Sequence, residues 1–144
     1  MTIRPRAAKS IRDIRARLRD LAAASHANTV AVRDRSREAV ALEERALEDH
    51  FDTAQHELLE ARSIYDLQSV DEDTGVYRLA IADAQKVLES NTKQTQVSEA
   101  ALRESSRKLK SSEALVERIE DMIARRDAKA EQRSQDDISA RKRP

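Results

Sequence analysis

"SVDEDTGVY", residues 69–77, holds the only glycine of a 144-residue chain, Gly75, close behind three consecutive acids. It reads as a metal loop, a linker, or the place where one long structure turns back on itself. An EF-hand loop with Gly75 sixth needs oxygen ligands at its first, third and fifth places. Those places hold Val70, Glu72 and Thr74, of which only Glu72 suits. No metal or other cofactor is expected here. The flanking sequence decides between the remaining readings.

From Tyr77 onward, steps of four and three run through Ile81, Ala84, Leu88, Asn91, Thr95, Ser98, Leu102, Ser105, Leu109, Ser112, Val116, Ile119, Ile123, Arg126 and Ala130. A seven-residue period sustained this far predicts a helix that supercoils against a partner helix. Before the glycine, Ile11, Ile14, Leu18 and Leu21 form one clean stretch, and Val40, Leu47, Phe51, Ala54, Leu58, Ala61 and Tyr65 form another. The segment between them, "SHANTVAVRDRS" (residues 25–36), loses phase, which predicts a stutter that rotates the seam. Acid-before-base pairs at i,i+4, such as Asp13 with Arg17 and Glu104 with Lys108, support both arms by about 0.2–0.5 kcal/mol each.

The expected fold is therefore all-α, a single long antiparallel two-helix coiled-coil hairpin. Arm one covers about 8–66, an acidic elbow about 67–76, arm two about 77–133, and a basic tail runs to 144. Folding at Gly75 sets Tyr65 near Ile81, Leu58 near Leu88 and Leu18 near Arg126. Ser69 with Glu72 has capping-box spacing for the returning helix. The predicted seam comprises Leu18, Leu47, Leu58, Tyr65, Ile81, Leu88, Leu102, Leu109, Val116 and Ile123. Polar residues fill its middle, so that part should be weakly held, and Leu at Ser98, Ser105 and Ser112 should raise the melting temperature if those residues face the other arm.

Composition agrees with this reading. Aromatics are 2% of the residues and charged residues 38%, too little bulky apolar material for a globular core. Charge balance, 27 of each sign, together with the regular apolar spacing, argues against disorder. No apolar run is long enough to span a membrane. The absence of cysteine suits a reducing cytoplasm. The opening "MTIRPRAAKSIRDIRARLR" lacks the apolar core of a secretory signal and reads as a basic helix start, with a mitochondrial presequence as the minor alternative.

Catalysis is not expected. "HELLE", His56–Glu60, has Glu60 where a zinc-protease helix needs its second histidine. A two-helix coil also offers no enclosed pocket in which Ser, His and Asp can be arranged. The distribution of charge carries more information. Residues 1–20 hold seven Lys/Arg against two acids, residues 125–144 seven against four, and residues 43–73 eleven acids against Arg45 and Arg62. Segregation of this kind points to different partners at the two ends. Nucleic acid is the weaker choice for the basic end, because stacking aromatics are missing there.

The tail "AEQRSQDDISARKR", Ala130 to Arg143, offers Glu131, Gln132 and Arg133, then Asp136, Asp137 and Arg141. With this tail on a charged, aromatic-poor hairpin, the chain resembles the FliJ/YscO-type stalk proteins of flagellar and virulence type III secretion. The resemblance implies a cytoplasmic, non-enzymatic central-stalk component, peripheral at the inner-membrane secretion apparatus. Its implied partners are the hexameric export ATPase, the export gate and substrate chaperones, with no small-molecule substrate. On that basis Arg4, Arg6, Arg12, Arg15, Arg19, Arg133 and Arg141 are candidate ATPase contacts. Phe51, Leu59, Leu67, Tyr77 and Leu79 are candidate gate or chaperone contacts. The rival expectation is a self-associating structural coiled coil.

Overall fold

A computed structural model describes residues 4–143 and shows two long helices, α1 (Pro5–Glu60) and α2 (Ile64–Arg141), packed against each other as a helical hairpin. Pro5 occupies the first position of α1, where its missing N–H would have had no helical partner. The Arg4 carbonyl accepts from Ala7 N–H and Ala8 N–H at 2.9 and 3.1 Å, closing the first turn. The tail expected beyond residue 133 continues as helix to Arg141.

The chain reverses at Ala61, Arg62 and Ser63, not at residues 67–76. Gly75 lies inside α2, without positive φ and with nothing within 4 Å of the place a Cβ would take. The cause is a capping box six residues earlier in the sequence than expected. The Asp66 carboxylate accepts N–H bonds from Arg62 and Ser63 at 3.0 and 3.2 Å, while Asp66 N–H faces Ser63 Oγ at 3.4 Å. Ser63 is thus the N-cap and Asp66 the third helical residue, and the reciprocal bonds satisfy donors that α2 cannot pair internally. Asp66 also places a negative charge in the first turn, where the helix dipole favours it. Ser69 and Glu72, the pair expected to cap, sit in the second and third turns as ordinary exposed helical residues.

Contacts divide the hairpin into two units. In the terminal one, formed by the chain through Ala23 and from Ala101, Ala8 packs against Val116 and Ile119, with Leu115 alongside. Arg15 donates to Ser112 Oγ at 2.6 Å and to the Lys108 carbonyl at 3.1 Å, and Lys9 pairs with Glu120 at 2.9 Å. In the other unit, Ala24–Ala100, the contact is largely polar. Asn91 donates to Ser36, Thr95 donates to the Thr29 carbonyl, Ser98 bonds both His26 and Thr29, and His50 bonds Thr74. Val40 and Ala54 are its buried apolar residues.

On α2 the expected seam holds from Tyr77 to Ile119. Every a and d position over that span is buried or half-buried. For α1 the expectation holds at Val40, Leu47 and Ala54 and fails at Ile11, Ile14, Leu18, Leu21, Phe51 and Leu58, which are exposed. Its covered positions are Ala8, Arg15, Ala22, Thr29, Ser36, Glu43 and His50, interleaved with Arg12, Arg19, His26, Arg33, Val40, Leu47 and Ala54. Both series keep an unbroken seven-residue step, so the predicted stutter does not occur. Leu18 is therefore turned outward, and Leu58 and Tyr65 are exposed near the turn, with Tyr65 in the first turn of α2. Ile123 is exposed because α1 has already ended opposite it.

Candidate protein-binding surfaces

Three surfaces stand out, and each follows from register. The first is the end of α2. Because the turn is short and α1 has 56 residues against 78 in α2, the last part of α2 has no described residue of α1 opposite it. The last cross-contact is at Glu120, whose carboxylate is held below its ordinary pKa by the hydrogen bond and charge of Lys9. From Asp121 to Arg143 every residue is exposed. This bare helix carries Arg125, Arg126, Lys129, Arg133 and Arg141, with Met122 and Ile138 among its exposed apolar residues.

The seven arginines expected at the basic end do not share one surface. Arg4, Arg6, Arg133 and Arg141 are exposed. Arg12, Arg15 and Arg19 lie half-buried on the face of α1 turned towards α2. Arg12 also bonds Asp13 at 2.8 and 3.0 Å, which takes Asp13 from the expected partner Arg17. Arg19 Nε approaches Asp20 at 3.0 Å as an ion pair without hydrogen-bond geometry. Of the three, Arg15 bonds across to α2, at Ser112 and the Lys108 carbonyl, while Arg12 and Arg19 pair with the aspartates next to them on α1.

The second surface is the stripe that those arginines displace. Ile14, Leu18 and Leu21 are 56%, 54% and 67% exposed, with Ile11 at the edge beside Leu115. The apolar pattern alone would have placed this stripe inside. The signal against it is the row of small d residues on α2, Ser98, Ser105 and Ser112, whose hydroxyls sit better against long polar side chains than against leucine.

The third surface is at the turn. Phe51, Leu58, Leu67 and Val70 line a shallow groove together with Asp71 and Thr74. Leu59 and Leu79 are also exposed, whereas Tyr77 stacks on His50 with ring centroids 4.8 Å apart and belongs to the seam. Of the expected gate or chaperone contacts, Phe51, Leu59, Leu67 and Leu79 therefore face outward and Tyr77 does not.

Among the described residues no group of His, Cys, Asp and Glu is placed to hold a metal ion, and no helix is long and apolar enough to cross a membrane. Comparison with protein families, curated proteins and solved structures finds no match to this chain.

Proposed function

We propose that the protein is a non-enzymatic central-stalk component of a type III secretion export apparatus, flagellar or virulence, working in the cytoplasm at the inner membrane. The observation that supports this reading is the run of α2 beyond Glu120, exposed at every described residue and densely charged, with five cations and five acids over residues 121–141. A helix exposed all round is a ready insert for a protein socket, and its charges of both signs suit one of complementary pattern. In this role the end near residues 121–141 engages the hexameric export ATPase. The turn end, with Phe51, Leu59 and Leu67, meets the export gate or substrate chaperones.

The register changes which arginines belong in the test. Charge reversal at Arg12, Arg15 or Arg19 would damage the hairpin itself, so the informative variant is Arg126→Glu with Arg133→Glu, both on the bare helix. The purified protein should raise turnover of its cognate export ATPase, and the double variant should lose that stimulation while its circular dichroism and melting curve stay unchanged. An ATPase indifferent to the wild-type protein would remove the proposal.

A further inference from the structure

The aliphatic stripe at the start of α1 needs an occupant, and its borders say what kind. Residues 14, 18 and 21 follow the i, i+4, i+7 line of one helix face. At 100° per residue, Arg4 borders that face on one side and Arg6 and Arg17 on the other, while Asp13 and Asp20 fall behind the latter two. An identical stripe brought against it would set arginine opposite arginine, which disfavours a symmetric pair. The complement is an apolar groove with acidic borders.

This chain presents such a groove at its turn. Phe51 and Leu58 on α1 face Leu67 and Val70 on α2 across an open depression, with Asp71 in its wall. Glu44 and Glu48 lie on the same line of α1 as Phe51 and Leu58, at steps of four and three. Residues 43–73 carry eleven acids against two arginines, the reverse of the balance over residues 1–20. The three large side chains Phe51, Leu58 and Leu67 are each nearly half exposed, so the groove is unfilled within one hairpin.

We infer that Ile14, Leu18 and Leu21 of one molecule dock in the Phe51–Leu58–Leu67 groove of a second copy of this chain. Each molecule then offers one stripe and one groove. The contact joins two different surfaces, so it either closes as a reciprocal pair, each stripe in the other molecule's groove, or propagates as an open chain. Apolar burial supplies the attraction, and the arginine borders against Glu44, Glu48 and Asp71 supply orientation and a dependence on salt. The contact is independent of the export-apparatus reading: a chain that assembles but leaves the ATPase indifferent keeps this inference and loses the other.

Sedimentation velocity on the full chain tests it. At about 20 mM salt, where charges act over tens of ångströms, mass should climb with concentration to the dimer or beyond, and it should fall towards 16.3 kDa in high salt. Two variants blunt one surface each, Leu18→Glu the stripe and Phe51→Glu the groove. Both residues are exposed, so circular dichroism should show the hairpin intact. Each variant alone should associate about tenfold or more weakly, because a carboxylate would enter an apolar contact. An equimolar mixture should form a one-to-one pair and stop there, since only one good stripe and one good groove remain. A wild-type chain that stays at the monomer mass at every concentration overturns the inference. So does a Phe51→Glu protein that dimerises as well as wild type, which would mean that stripe pairs with stripe.

Discussion

Gly75→Ala separates the turn at Ala61–Ser63 from a turn at the glycine by the sign of its effect. In the structure Gly75 is a mid-helix residue of α2 with ordinary negative φ, and a methyl group at its Cβ position meets nothing within 4 Å. Alanine there incurs no strain and no clash. It removes the backbone freedom that glycine must surrender on folding, worth about 0.8–1 kcal/mol in a helix interior. For a chain near 150 residues, about 1 kcal/mol corresponds to roughly 3 °C in melting temperature. Were the chain instead to bend at Gly75 through a left-handed conformation, alanine would cost about 1–2 kcal/mol and melting would fall by a similar interval. Thermal melts followed by far-ultraviolet circular dichroism resolve a rise from a fall of this size. A lower melting temperature for Gly75→Ala would refute the placement of the turn.

The cap and the seam give two companion tests. Ser63→Ala removes the N-cap oxygen of α2 and should cost about 1 kcal/mol, while Ser69→Ala, exposed in the second turn, should leave the melt unchanged or slightly raised. Ser112→Leu should lower stability by about 1–3 kcal/mol, contrary to what the heptad pattern suggests. Ser112 is fully buried and receives Arg15 at 2.6 Å, so leucine both overpacks the site and takes away an acceptor. Ser105→Leu, at a half-buried d position, serves as the comparison and should raise the melting temperature.

Helical class and pairing were legible because they rest on period. Thirteen successive a and d positions of α2, Tyr77 through Ile119, announce one covered stripe, and that stripe is covered. The position of the turn was not legible from period. Sliding one heptad arm past another by whole repeats presents the same faces, so the apolar pattern leaves a set of equivalent registers. Placing Leu18 opposite Arg126 and the observed pairing of Arg15 with Ser112 differ by a slide of 17 residues, which is not a whole number of repeats and so also turns a different face of α1 inward. The choice falls to local chemistry, and Ser63 with Asp66 carried the signal. The lone glycine drew attention away from it, although a glycine within a helix has no more claim to be a turn than a serine with a carboxylate three residues on.

The face of α1 was misjudged for a different reason. Hydropathy ranks Ile14, Leu18 and Leu21 above Arg12, Arg15 and Arg19, and burial by hydropathy alone would turn the helix to cover the first set. The partner face on α2 contains Ser112 and Ser98, and it is Arg15 and His26 that meet them. Packing an aliphatic row on those hydroxyls would leave the serines only their bonds back along their own helix, such as Ser112 to the Lys108 carbonyl. The observed face gives them cross-helix partners as well. A polar seam of this kind yields less free energy than a leucine seam, since each hydrogen bond contributes about 1 kcal/mol net where a buried leucine contributes about 1.5–3. What the chain gains is an apolar stripe left outside the hairpin at i, i+4, i+7, the surface that the proposed contact with a second copy would cover. The weak inner seam and the rich outer one are thus two consequences of a single choice of register.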